Sequence, residues 1–177
     1  MWGHVSRRDP DGRGAWIKGG PRGFDEVSDA DVVFIDFDGR RLSGPIDTPP
    51  REYPLHTEIL RSRGDVMSVV HVHPPHAIAL AATGAPLQVF SNAECLGQAR
   101  AVFLVGHGIV TVGASVAVAV MTALLLERAC RLQLLAAAGG GIAPALEQPG
   151  RRYEHTESDA YMLRSWEHLL RRVQSRQ

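Results

Sequence analysis

The segment Val69-Val70-His71-Val72-His73-Pro74-Pro75-His76 constrains this chain more than any other. A β-branched run favours an extended strand. The Pro-Pro pair ends it, because proline has no N–H for a ladder and fixes its own φ. Side chains two apart on a strand point to one face, so His71 and His73 are expected to converge. Imidazole is the commonest metal-donating side chain near neutral pH, and two convergent imidazoles define most of a divalent transition-metal site once a third donor arrives. The plain alternative is a pair of half-buried strand histidines bonded to backbone carbonyls. A second strand-like run, residues 101–105, ends in Gly106-His107-Gly108. It brings another imidazole between two residues that let backbone approach closely.

Composition sets the limits within which that site must be built. The chain has 177 residues, 45% of them hydrophobic, and a formal net charge of zero, which predicts one globular domain with an ample core. Balanced charge without a basic block argues against nucleic acid as a partner. No apolar run approaches the roughly 20 residues of a membrane helix, and the N-terminus lacks an apolar signal core, so a cytoplasmic protein is expected. Cys95 and Cys130 are far apart in sequence and form no Cys-x-x-Cys pair, which makes a disulfide framework or a thiolate zinc site improbable. Lys18 is the sole lysine. Flanked by glycines in what reads as a polar turn, it is a poor candidate for Schiff-base chemistry, and a metal is the better electrophile.

In chain order, residues 3–8 and 15–18 read as strands around the turn Asp9-Pro10-Asp11-Gly12. Residues 28–31 lead into a strand over 32–37, and Asp38-Gly39 reverses it into a hairpin. Leu55, Ile59 and Leu60 have helical spacing, which places Glu52 near a helix start. A carboxylate there can simply complement the helix dipole. Alternatively, Glu52 faces the imidazole pair as a fourth metal donor or as the acid/base that moves a substrate proton. His56, one turn on, is read as a surface residue or as a support behind the cluster. Pro74 and Pro75 open a helix through His76 to Thr83, and residues 93–100 form a further helical piece. Ser115 caps the longest helix, about 116–138, and Gly139-Gly140-Gly141 stops it. Residues 142–150 are a connector to a last amphipathic helix over 159–174, of a kind that often packs on a partner chain.

Four ordered blocks carry a resemblance: Glu52-Tyr53-Pro54-Leu55-His56; Asp65 through Pro75 with His71 and His73; Gly106-His107-Gly108 through Gly113; and Leu126-Glu127-Arg128-Ala129-Cys130. Together they resemble the class II aldolase/adducin family over about residues 2–138. The resemblance implies a three-layer α/β/α fold around a mainly antiparallel sheet. It further implies a divalent metal, zinc or in some members manganese, held by His71, His73 and His107, with Glu52 as the catalytic carboxylate. It also implies a small-molecule substrate and a homotetramer with sites at subunit boundaries.

Departures from the family pattern bear on substrate. Sugar-phosphate aldolases of the family carry Gly-Asn-x-Ser and a Ser-Ser before the glutamate. Here the matching residues are Gly3-His4-Val5-Ser6 and Pro50-Arg51-Glu52. Loss of those hydroxyls weakens phosphate binding, while Arg51 offers a planar fork suited to a carboxylate. Gly-His-Val-Ser resembles the branch that contains decarboxylases of aromatic and heteroaromatic acids, which makes His4, Ser6 and Arg51 candidate substrate-binding residues. Relatives usually have helices ahead of this first strand, and the chain is also shortened between residues 84 and 101, where aldolases supply a proton-donating tyrosine. Tyr153 or Tyr161 is a candidate replacement. The expected function is a metal-dependent carbon–carbon lyase of aldolase or decarboxylase type, acting on a small hydroxylated or carbonyl substrate that bears a carboxylate, through a metal-stabilised enolate. The alternatives are a non-catalytic binding or assembly module of the same fold, or a sugar-phosphate aldolase or epimerase.

Overall fold

The computed structural model describes residues 3–19, 22–44, 49–87, 100–141 and 159–175. Its strands are β1 (Gly3–Arg8), β2 (Ala15–Lys18), β3 (Val32–Ile35), β4 (Arg41–Ser43), β5 (Ser68–Val72), β6 (Ala101–Leu104) and β7 (Gly108–Gly113). They form one sheet in the order β4-β3-β2-β1-β5-β7-β6, with every neighbouring pair antiparallel. The helices are α1 (Tyr53–Ser62), α2 (Pro75–Ala82), α3 (Val116–Ala138) and α4 (Asp159–Gln174). Helix α1 covers one face of the sheet, α2 and α3 cover part of the other, and α4 lies on α3. This is the expected three-layer α/β/α arrangement around an antiparallel sheet.

Period-two alternation sorts the side chains between the two layers. Val70 and Ile109 face α2 and α3, where they join Leu80, Ala119, Leu126 and Cys130 in one buried cluster. Val69, Val110 and Val112 point the other way and pack with Leu60 of α1. The guanidinium of Arg8 fastens α1 to the sheet. It donates to the carbonyls of Leu60 and Arg63 at the helix end and to that of Val66 beyond it, thereby pairing carbonyls that the helix leaves unsatisfied.

On the α3 side, helix cover stops short of β2 and β3. Val5, Trp16, Lys18, Phe24 and Val32 there line a largely apolar groove of about 900 Å³ that runs to His73 and Glu127. Trp16 stacks on Phe34 at 4.8 Å between ring centroids.

Two expectations need correction. Lys18 is the last residue of β2 and is buried, with Nζ 5.7 Å from the centre of the Phe24 ring, rather than in a polar turn. The strand expected over 101–105 ends at Leu104, and Val105 is exposed. Helix α4 packs on its own chain: Met162 is fully buried against Val118, Met121 and Leu125, with Trp166 and Leu169 beside it. Leu170 and Val173 of the same helix remain exposed. The helical piece expected over 93–100 and the connector at 142–150 fall, but for Arg100, outside the described residues. Among the described residues, no helix is long and apolar enough to cross a membrane. Cys130 is buried, and burial pushes its thiol up to about 12.

Candidate metal centre

Three pieces of backbone deliver the imidazoles. His71 lies on β5, opposite Val110 of β7 and His4 of β1, and shares with Val69 the face that looks toward α1. His73 follows two residues on, just past the end of the strand, and His107 sits in the β6–β7 turn. That turn depends on its two glycines. Gly106 has φ +74°, a conformation L side chains rarely adopt. A Cβ on Gly108 would lie 2.5 Å from the Val72 carbonyl oxygen and 2.7 Å from His73 Cδ2. Only glycine lets the turn close down on β5 and bring His107 to the His-x-His pair.

The three rings converge. Nε2 of His73 and Nε2 of His107 are 2.9 Å apart, and ring centroids within the trio lie 4.7–4.9 Å from one another. Glu52, at the N-cap position of α1, turns its carboxylate toward them. Its Oε1 is 3.2 Å from His107 Nε2, and its Oε2 is 3.6 Å from His71 Nε2. One donor atom from each of Glu52, His71, His73 and His107 falls within 4.8 Å of all the others.

The donor set fits a divalent ion. His71 Nδ1 donates to the Ile109 carbonyl at 2.9 Å, which fixes the tautomer and leaves the Nε2 lone pair facing the cluster. That Nε2 is buried without a hydrogen-bond partner, a costly state unless something binds it. Zinc takes imidazole nitrogen and carboxylate oxygen at about 2.0–2.2 Å, so neighbouring donors of a tetrahedral site stand roughly 3.3 Å apart. The observed separations of 2.9, 3.2 and 3.6 Å bracket that figure. His71 is fully buried while His107 is 45% exposed, so the cluster opens to solvent on the His107 side.

The remaining sequence candidates occupy different places. His4 borders the cluster with Nδ1 3.6 Å from Glu52 Oε2, and this nitrogen too is buried without a hydrogen bond. Burial pushes His4 below the usual imidazole range, only partly offset by Glu52, which favours the neutral ring. Ser6 is buried one layer behind. Its hydroxyl lies 2.8 Å from His56 Nδ1, and its carbonyl accepts from the Ser68 hydroxyl at 2.7 Å. Arg51 is exposed on the turn before Glu52 and has no hydrogen bond or ion pair among the described residues. Tyr161 is carried on α4, across the sheet from α1, and Tyr153 lies outside the described residues.

His56, read as a surface or supporting residue, is wholly buried. Burial, reinforced by the nearby rings of His4 and His71, drives it down to about 3, so it is neutral. Its Nε2 and Thr57 Oγ1 are both buried without partners. Its placement one helical turn after Glu52, on the same face, was the available sequence signal. Glu127 was also missed as a working residue; its carboxylate receives the first turn of α2.

Comparison with known proteins agrees with this geometry. The family model described as Class II Aldolase and Adducin N-terminal domain matches residues 1–96 and 88–134. The 3,4-dihydroxyphthalate decarboxylase of Terrabacter sp. (strain DBF63) is 34% identical in an alignment that covers 78% of this chain and 74% of that protein. An enzyme of the same name from Arthrobacter keyseri is 30% identical, spanning 68% of this chain and 63% of its own length. The chain thus covers less than two thirds of some of its curated relatives. Among solved structures, L-fuculose 1-phosphate aldolase from Glaciozyma antarctica superposes with a TM-score of 0.84 at 22% identity, over 99% of this chain and 82% of that one. At that identity the likeness speaks for the fold. Taken with the ordered histidines, the family match establishes that this chain belongs to the class II aldolase and adducin family and is an aldolase-like lyase.

Proposed function

We propose that His71, His73 and His107 hold one divalent metal ion, zinc or manganese, and that Glu52 moves the proton when a carbon–carbon bond of a small hydroxylated carboxylate is broken. One observation carries the reading: the Glu52 carboxylate faces three convergent imidazole nitrogens, one of them buried and otherwise unpaired. When bound, such an ion supplies electrophilic stabilisation to negative charge that develops on substrate oxygen.

The chain's own residues do the rest. The exposed side of His107 leaves an entry for substrate. Neutral His4, beside Glu52, offers a hydrogen-bonding nitrogen to a substrate hydroxyl or carboxylate, and Arg51 at the rim supplies positive charge for the carboxylate. Ser6 holds His56, and the two rings of His4 and His56 meet edge to face at 6.1 Å, which keeps His4 oriented. As the carbon–carboxylate bond breaks and CO2 leaves, the bonding pair remains on the substrate carbon, and Glu52 delivers to that carbon the proton it has taken from a substrate hydroxyl. Decarboxylation is favoured over aldol cleavage because His4 replaces the asparagine, and Pro50-Arg51 the two serines, of the phosphate-binding motifs, and because relatives carry the decarboxylase name. The reading includes a homo-oligomeric, cytoplasmic enzyme, on family membership.

Purified protein loaded with zinc or manganese is to be offered hydroxylated aromatic carboxylates, scored for CO2, and sugar phosphates, scored for aldehyde. CO2 release from a hydroxylated carboxylate is expected. Glu52→Gln should lower kcat by about 10²–10⁴-fold, the usual worth of a positioned acid or base. Aldehyde release alone, or a Glu52→Gln variant as active as wild type, would overturn the assignment.

A further inference from the structure

Helix α2 begins without a cap of its own. Pro74 holds the N-cap position at φ −74° and ψ 131°, and Pro75 follows as the first helical residue. Neither has a side-chain acceptor for the open N–H groups of a first turn. Ile78 N–H already reaches the Pro74 carbonyl at 3.1 Å, so the His76 and Ala77 N–H groups are the ones left over.

Both go to Glu127, which projects from α3. Its Oε2 accepts from Ala77 N–H at 2.9 Å, and its Oε1 accepts from His76 N–H at 3.2 Å and from His76 Nδ1 at 2.6 Å. A carboxylate at a helix N-terminus also meets the positive end of the helix dipole. Glu127 thus supplies, from another element, the cap that the Pro-Pro pair cannot provide.

The same prolines make the junction stiff. Two consecutive residues with φ fixed near −65° connect His73 to the first turn of α2, so the setting of that turn is passed back to the His73 backbone. The His73 ring occupies the space a side chain at position 108 would take, since a Cβ there would lie 2.7 Å from its Cδ2. From these contacts we infer that Glu127 is a positioning residue for the metal centre. By clamping the start of α2 it holds the His73 imidazole where those of His71 and His107 meet, and so sets the affinity for the ion. The inference rests on the metal reading above.

The test is a double-mutant cycle on the full chain, with zinc affinity from competition against a chromophoric chelator and the visible absorption of the cobalt(II) form as a record of coordination. Outer partners of metal ligands typically contribute roughly 10–100-fold in affinity. Glu127→Gln should therefore weaken zinc binding by that order and alter the cobalt spectrum, with helix content by circular dichroism unchanged. Added to His73→Ala, it should cost less than about 2-fold more, because residues that act through one another are not additive. Wild-type affinity and spectrum in Glu127→Gln, or an equal further loss on top of His73→Ala, would overturn the inference while leaving the metal reading standing. A wild-type chain that takes up no ion would overturn both.

Should Glu127→Gln fail to fold, Glu127→Asp keeps the charge and both prolines but draws the carboxylate back from the start of α2 by one methylene. It should weaken zinc binding and alter the cobalt spectrum, and wild-type affinity and spectrum in that variant would contradict the clamp.

Discussion

Strands β1, β5 and β7 have two unlike faces. Toward α2 and α3 they present Val5, Val70, Val72 and Ile109, and the buried polar groups nearby are paired. Thr111 Oγ1 donates to the Ala119 carbonyl at 2.8 Å, and Thr122 Oγ1 donates to that of Val118, also at 2.8 Å. Toward α1 the same strands present His4, Ser6 and His71 beside the apolar Val69, Val110 and Val112. All four buried side-chain atoms that lack a hydrogen bond among the described residues, His4 Nδ1, His56 Nε2, Thr57 Oγ1 and His71 Nε2, lie on that side. One face is apolar or internally paired. The other joins an apolar cluster to a polar patch whose unsatisfied atoms cost stability, and at His71 Nε2 a bound ion would offset that cost.

Substitutions on the two faces should therefore behave differently. The largest effect belongs to the apolar side: Leu126→Ala, at a fully buried position, should cost about 2–5 kcal/mol in urea unfolding and leave metal stoichiometry unchanged. Loss of metal in that variant while it remains folded would break the division between the faces.

An intermediate effect belongs to His56. Its folded pKa of about 3 lies below the ordinary 6.5, so the unfolded chain takes up the proton first. The stability this group contributes is full above pH 6.5 and is lost as the pH falls toward 3. At pH 5 the loss is about 2 kcal/mol, from about 1.4 kcal/mol per pH unit. Chelator-treated His56→Leu should lose that much less than wild type between pH 7 and pH 5. Parallel losses would place the acid sensitivity elsewhere.

The smallest effect tests the unsatisfied atoms directly. Thr57→Val removes a buried, unpartnered hydroxyl at nearly constant shape and should be neutral or stabilising by up to about 1 kcal/mol in the metal-free protein. A clear destabilisation would mean that the hydroxyl has a partner.

Local signals made much of this legible in the sequence. The His71/His73 alternation, the proline stop, the Gly-His-Gly turn and the Ser115 cap each lie within a few residues, and each appears where the sequence places it; Ser115 Oγ accepts from Val118 N–H at 3.2 Å. What escaped was non-local. His56 reads as a surface histidine until β1 brings Ser6 beneath it, fifty residues away in sequence. Lys18 reads as a turn residue until pairing with Val32 draws it into the sheet. Glu127 is one of three charged residues on a long, mostly apolar helix until α2 arrives lacking a cap. The expected tetramer, and the roles expected of Arg51 and Tyr153, call for neighbouring chains or a substrate, which no residue pattern within one chain specifies.

The central claim is that His71, His73 and His107, with Glu52 beside them, form one site for one ion. Zinc titration of the chelator-stripped protein, read by calorimetry and elemental analysis, addresses it most directly. The account predicts one zinc per chain in wild type and loss of that site in each of His71→Ala, His73→Ala and His107→Ala. No uptake by folded wild type, or equal uptake in all three variants, would contradict it.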